Sequence, residues 1–205
     1  ERNRTRWVLS RVPNESFAQQ AGMTLDDMMD FYFASTVVNW DDRQGYFEKV
    51  RDLYEGGKKV RIVGKETDIT FSTVGRTYAI AGGRCNMPDG EVYTSPDETT
   101  VNGKIYFEFP GVYAGKVIQG IRLEFKDGKL VNYSSETEQD FLETVLHMDD
   151  GAKRVGEFGI GLNAGINRYC YDILYDEKIG GTIHLAMGRA YPKCGGTNDS
   201  SLHWD

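Results

Sequence analysis

Ile118-Gln119-Gly120-Ile121-Arg122-Leu123-Glu124-Phe125 and Leu130-Val131-Asn132-Tyr133 flank Lys126-Asp127-Gly128-Lys129. Apolar and polar residues alternate along the first segment, which is the period of a strand with one buried face. An Asp-Gly step tolerates the positive φ angles that a tight hairpin turn demands. The stretch therefore predicts two antiparallel strands joined by a short turn. Working back from it, Lys59-Val60-Arg61-Ile62-Val63, Asp68-Ile69-Thr70-Phe71-Ser72, Arg76-Thr77-Tyr78-Ala79-Ile80 and Lys104-Ile105-Tyr106-Phe107-Glu108-Phe109 gather β-formers between glycines.

The first third reads as helix. Asn14-Glu15-Ser16 opens Phe17-Ala18-Gln19-Gln20-Ala21, which a glycine stop ends at Gly22. Thr24-Leu25-Asp26-Asp27 has the form of a capped start with acidic residues in its first turn. Met28, Met29, Phe31, Tyr32 and Phe33 are expected to bury most of that helix. A third helix over residues 41–54 places Tyr46, Phe47, Val50, Leu53 and Tyr54 on one stripe and stops at Gly56-Gly57. After the hairpin, residues 137–147 predict a helix with Phe141, Leu142, Val145 and Leu146 inward. The last 50 residues mix short strands and glycine turns with a helix-like stretch over residues 169–175. Together these segments predict an α+β fold with a mostly antiparallel sheet, in one domain spanning residues 1–205.

The chain has 205 residues, 40% of them hydrophobic and 12% aromatic, enough to bury a substantial core. A formal net charge of −7 argues against nucleic acid, whose phosphates demand a basic face. No apolar run approaches the roughly 18–20 residues of a membrane span. Cys85, Cys170 and Cys194 are odd in number and lack close pairing, which suits reduced thiols. Asn-x-Ser/Thr triplets begin at Asn3, Asn14, Asn132 and Asn198, and without a secretory signal they read as chance matches. The expected location is cytoplasmic. The opening Glu1-Arg2-Asn3-Arg4-Thr5-Arg6 lacks a starting Met, which fits a fragment or a processed chain.

Chemistry concentrates in four glycine-flanked segments. The last, Ser201-Leu202-His203-Trp204-Asp205, sets an imidazole and a carboxylate on one side of an extended strand, with Trp204 packing behind. Such a pair suits Zn²⁺ or a similar divalent ion. His184 stands in Thr182-Ile183-His184-Leu185-Ala186, where a hydrogen-bonded core histidine is the commoner reading. Glu157 lies in an otherwise apolar run over residues 155–162, and a carboxylate there faces solvent or a cation, because an unpaired buried charge is very costly. Glu91 follows Asp89-Gly90 and taken alone reads as the exit of a turn. His147, beside Met148-Asp149-Asp150, reads as a solvated helix-end residue. Gly159-Ile160-Gly161-Leu162-Asn163-Ala164-Gly165 has the wrong spacing for a dinucleotide loop.

Taken in order, these segments resemble the thermophilic aminopeptidase family of dinuclear metallopeptidases. The resemblance rests on Asn86-Met87-Pro88-Asp89-Gly90-Glu91-Val92-Tyr93-Thr94-Ser95-Pro96, Gly156-Glu157-Phe158 and Tyr175-Asp176-Glu177. It continues through His184-Leu185-Ala186-Met187-Gly188-Arg189-Ala190-Tyr191-Pro192 and His203-Trp204-Asp205, and Asn3-Arg4-Thr5-Arg6-Trp7 and Asn14-Glu15-Ser16-Phe17-Ala18 also fit. The resemblance implies the catalytic domain of a two-domain metallo-aminopeptidase. Its metal ligands would be Glu91, Glu157, Glu177, His184, His203 and Asp205, with Glu157 bridging two divalent ions (Zn, Co or Mn). Tyr191 would be the active-site tyrosine, and Asp89 is a candidate proton shuttle. The spacing of seven from Glu177 to His184 is longer than in some relatives.

The resemblance further implies peptide substrates with a free N-terminus and a homodimer. Family members are longer, with an α/β domain ahead of the catalytic part and further strand beyond the His-Trp-Asp motif. One alternative expectation is therefore a catalytically silent fragment serving as a binding or scaffold module. Another is a related metal-dependent amidohydrolase acting on something other than peptide N-termini.

Overall fold

The computed structural model describes residues 5–205. The Asn3-Arg4 end of the family resemblance and the Asn3 triplet lie outside the described residues. In chain order the helices are α1 (Glu15–Gln20), α2 (Leu25–Thr36), α3 (Trp40–Glu55), α4 (Gln139–Leu146) and α5 (Ile173–Asp176). The strands begin with β1 (Leu9–Ser10), β2 (Lys59–Gly64), β3 (Thr67–Ser72), β4 (Ala79–Ala81), β5 (Asn86–Met87), β6 (Glu91–Thr94) and β7 (Asn102–Tyr106). They continue with β8 (Gly111–Tyr113), β9 (Lys116–Ile118), β10 (Arg122–Lys126), β11 (Lys129–Ser134), β12 (Val155–Gly161), β13 (Ile183–Gly188) and β14 (His203–Trp204). The fold is α+β with mostly antiparallel sheets. One five-stranded sheet has the order β11-β10-β7-β3-β2, and another the order β14-β13-β12-β6-β4.

The chain divides into two compact units. One contains the described residues up to Arg51, together with Ile80–Val92 and Gly159–Ile183. In it, the Asn14 side chain caps α1 by accepting from the Phe17 N–H, and Thr24 caps α2 by accepting from the Asp27 N–H. Both short helices turn aromatic residues onto Tyr175, whose ring lies 5.4 Å from Phe17 and 5.6 Å from Phe31. Met28, Ile166, Cys170, Leu174 and Ile179 complete this buried cluster. The Tyr175 hydroxyl escapes an unsatisfied burial by donating to the Arg11 carbonyl at 2.9 Å.

The other unit contains Asp52–Ala79, Tyr93–Phe158 and His184–Asp205. The sheet β11-β10-β7-β3-β2 lies wholly within it, antiparallel throughout, and sends Ile69, Phe71, Ile105, Leu123 and Phe125 into the core. The hairpin read from the sequence is present as β10 and β11, with Lys126 opposite Lys129 and positive φ at Asp127 and Gly128. Phe158 packs at its buried side against Phe71, ring centroids 5.2 Å apart, and against Tyr54. Leu142, Val145 and Leu146 form the buried stripe of α4, as their helical spacing predicts, while Phe141, also expected inward, is half-buried.

Three expectations need correction. The residue 41–54 stripe is covered only in part: of α3 only Phe47 is buried and Tyr54 is half-buried, while Leu53 is 75% and Tyr46 54% exposed. Of the five large residues expected to bury α2, Met28 and Phe31 do so, but Phe33 is 47% exposed. Apolar spacing identifies a helix face without stating what covers it. The helix-like stretch at residues 169–175 shrinks to the single turn α5, because Asp172 caps it by accepting from the Leu174 N–H. The carboxylate of Asp176 then accepts from the Cys170 and Asp172 N–H groups, holding residues 170–172 as a loop.

Candidate metal centre

Strand β12 is buried along its whole length, and Glu157 is its only ionisable residue. Gly156 precedes it because a Cβ there would meet the carbonyl oxygens of Gly188 and Arg189 at 2.4 Å. The glycine thus lets the backbone beside Glu157 run directly against the end of β13. Strand β13 supplies His184 and pairs with β14 in the register Gly188 opposite His203 and Met187 opposite Trp204. Trp204 packs its ring 5.9 Å from that of Tyr113, beneath a glycine, Gly111, whose added Cβ would strike the indole at 2.5 Å. With Trp204 so fixed, its neighbours in sequence turn to the opposite side.

Glu157 is 3% exposed, yet both of its oxygens face an imidazole. The His203 Nε2 lies 3.1 Å from Oε2, and the His184 Nε2 lies 3.7 Å from Oε1. Asp205 Oδ2 stands 3.6 Å from the same His203 Nε2, and the Tyr191 hydroxyl is 3.2 Å from it. One ligand atom from each of Glu157, His203 and Asp205 falls within 4.8 Å of the other two. Burial pushes the Glu157 carboxyl up, but the two histidines outweigh it and hold Glu157 below the ordinary carboxylate range. Burial pushes His203 down, but its hydrogen bond to Glu157 and the nearby Asp205 charge raise it to about 9. The Nδ1 of His203 sits 2.8 Å from the Arg189 carbonyl, which accepts only, so Nδ1 carries the proton. In that tautomer Nε2 is the nitrogen left able to coordinate a cation.

The donors fit a divalent ion. Two carboxylates and an imidazole converge, a second imidazole stands across Glu157, and among the described residues no lysine or arginine pairs with Glu157. This oxygen and nitrogen set suits Zn²⁺, Co²⁺ or Mn²⁺.

The terminal segment is held by further groups that the sequence did not advertise. Asp149 Oδ1 accepts from the Ser200 hydroxyl at 2.7 Å and the Ala152 N–H at 2.8 Å. Its Oδ2 accepts from the N–H and hydroxyl of Ser201, both at 2.7 Å. Arg189 adds an Nε–H bond to the Ser200 carbonyl, and its N–H donates to Leu202. The only hint was an Asp at the end of a predicted helix, a frequent site for side chain to backbone bonds.

Glu91, Glu177 and Asp89 belong to the other unit. Glu91 is buried behind the tight turn at Gly90, which has φ +113 and lies against Asn163. Asn163, in the run rejected as a dinucleotide loop, braces this turn: its Nδ2 donates to the Asp89 and Ser35 carbonyls at 2.8 and 2.9 Å. Its Oδ1 accepts from the Gly165 N–H, so the buried amide is satisfied. Glu91 and Glu177 meet on one ammonium, that of Lys178, 3.5 Å from Glu91 Oε1 and in direct contact with Glu177. Asp89 is 2% exposed, and its Oδ2 accepts from the Gly83 N–H at 2.8 Å. Burial raises its carboxyl above the usual range, with Lys178 acting the other way. His147 is exposed, its Nδ1 2.8 Å from the Glu143 carbonyl, and takes no part.

A family model described as thermophilic metalloprotease (M29) matches residues 1–205. Aminopeptidase 2 of Geobacillus stearothermophilus is 30% identical over 218 residues, covering 93% of this chain and 52% of that protein. Aminopeptidase T of Thermus thermophilus is 32% identical over 124 residues, covering 57% of this chain and 30% of that protein. The chain thus spans about half the length, or less, of the curated relatives it matches. Among solved structures, wild-type AmpT from Thermus thermophilus superposes with a TM-score of 0.79 at 25% identity, covering 88% of this chain and 51% of that one. A 2,5-dihydroxypyridine dioxygenase from Pseudomonas putida, at 14% identity, 86% and 56% coverage and a TM-score of 0.69, shares the fold alone. With the whole chain matched, this chain belongs to the thermophilic metalloprotease family M29.

Proposed function

We propose that the chain is the catalytic part of a metal-dependent aminopeptidase that removes the N-terminal residue from peptides. The observation that carries the reading is the buried Glu157, ionised and flanked on its two oxygens by His184 and His203, with Asp205 beside the latter. We assign Glu91, Glu157, Glu177, His184, His203 and Asp205 as ligands of two divalent ions (Zn, Co or Mn), with Glu157 shared between them. Bound there, such ions would supply an activated water and polarise the scissile carbonyl.

The chain's own groups do the rest. Burial of Glu157 keeps bulk water from its oxygens, so its charge acts in a weakly screened setting. The Nδ1–H of His203 anchors the ring to Arg189, leaving Nε2 turned toward Glu157 and Asp205. The Tyr191 hydroxyl reaches the same imidazole, and it would donate to an oxyanion as the carbonyl becomes tetrahedral. A carboxylate of the set would take the free α-ammonium of the peptide, which restricts cleavage to the first residue. Asp89, buried and raised, is the candidate to carry the proton.

The test is elemental analysis of purified protein with hydrolysis of an aminoacyl chromogenic substrate after adding Zn²⁺ or Co²⁺. Two equivalents of metal and cleavage restricted to free-amine substrates are expected. Equal cleavage of the N-acetylated substrate would replace this reading by a related amidohydrolase. Metal without turnover would leave a binding module. A cytoplasmic location and a homodimer belong to the same reading, the latter tested by light scattering. Among the described residues no helix is long and apolar enough to cross a membrane.

A further inference from the structure

Lys178 is a fully buried lysine, 0% exposed, and neither its sequence position nor the proposed reaction gives it a role. An ammonium without water is tolerated only where anions replace its hydration. Here Glu91 lies 3.5 Å away and Glu177 is in direct contact. The two carboxylates thus stand in for the water that the buried ammonium lacks. The carboxylate pair is therefore already compensated by one resident positive charge. The Glu157 group differs in kind, because its basic neighbours among the described residues are His184 and His203, which can give up their protons to a metal.

We propose that Lys178 is a resident counter-cation of the Glu91–Glu177 pair, holding both carboxylates in place without metal and weakening divalent-metal binding at that pair. The inference rests on the reading that these carboxylates are metal ligands. A divalent ion entering beside Lys178 meets like-charge repulsion that an ion at Glu157, His203 and Asp205 does not. The two ions then bind in sequence, the Glu157 group first. Lys178 is a positioning residue in this scheme, acting through the two carboxylates.

The experiment is Zn²⁺ titration of metal-stripped protein by calorimetry, with thermal melts of each metal-free form. Wild type should take up zinc in two steps, the second at least about tenfold weaker. Lys178→Met keeps the chain length without the charge. It should tighten the second step by about tenfold or more and lower the metal-free melting temperature, which zinc restores. Glu91→Gln/Lys178→Met removes one charge of each sign and should melt above Lys178→Met while losing the second zinc. If Lys178→Met is insoluble, a folded double variant supports the proposal, and equal insolubility of both overturns it. Unchanged zinc steps and melting in Lys178→Met also overturn it. Two-step zinc binding without hydrolysis would sink the aminopeptidase reading alone, and no zinc binding by wild type would sink both.

Discussion

Replacing Asp149 by alanine tests whether the His203–Asp205 end of the site is held from outside. The Asp149 carboxylate accepts four hydrogen bonds, from Ala152 N, Ser200 Oγ, Ser201 N and Ser201 Oγ. A hydrogen bond to a charged group contributes about 1.5–3 kcal/mol on its own. The four share one partly exposed group, and water can replace part of what is lost, so their effects do not add. A net loss of about 2–3 kcal/mol follows. For a chain of this size it lowers the melting temperature by about 4–12 °C.

Asp149→Asn should fall between wild type and alanine. Serine hydroxyls can turn to accept from the new amide, but the N–H of Ala152 or of Ser201 cannot, so one backbone donor stays unsatisfied. The assay is thermal denaturation of metal-free protein, followed by zinc titration. Because Ser201 is two residues from His203, zinc affinity should fall by about 10–100-fold, as for other groups that orient ligands. An alanine variant that melts within 1 °C of wild type and binds zinc as tightly would refute the reasoning.

The other expectations concern the same unit. Glu157→Gln should reduce bound zinc below two equivalents and abolish measurable cleavage of a chromogenic substrate. Undiminished cleavage would remove Glu157 from its bridging role. Gly156→Ala forces a methyl to within 2.4 Å of two carbonyl oxygens, so it should destabilise by about 1–3 kcal/mol in urea titration. Wild-type stability in that variant would mean that β12 is free to move away from Arg189. Asp149 is held well below its usual range, first by the Ser201 hydroxyl and then by the other donors. A carboxyl depressed in the folded state adds stability that is present above the unfolded value of about 4 and lost as pH falls through the folded one. Acid should therefore narrow the gap between wild type and Asp149→Ala, with denaturant midpoints below pH 4 converging. A constant gap from pH 7 to pH 3 would show that the charge of Asp149 does not matter.

The elements most legible in the sequence were those that local chemistry decides. Asp127-Gly128 permits only a tight turn between its strands, and Asn14 and Thr24 cap helices without help from distant residues. The burial of α3 was not legible, because helical spacing alone does not say what lies against Leu53 and Tyr46. In the site, the geometry supports an unusual environment for Glu157 and a paired orientation for His203 and Asp205, both foreseen from residue type and strand alternation. Their proposed roles as ligands entered through family resemblance, since each residue alone had a plainer reading.

Lys178 and Asp149 escaped for a different reason. A lysine between Glu177 and Ile179 looks like a solvated charge, and only the fold shows Glu91, 87 residues earlier, arriving at its ammonium. Asp149 looks like the end of α4 until residues 200 and 201 return to it. His203 sits on a strand of two residues, and Glu177 closes a helix of one turn, so neither position is fixed by many local contacts. Part of their placement then comes from charged groups brought in by the fold: Asp149 on the segment before His203, and Lys178 between Glu91 and Glu177. A site of this type should thus be more sensitive to changes at Asp149 and Lys178 than their ordinary local sequence suggests.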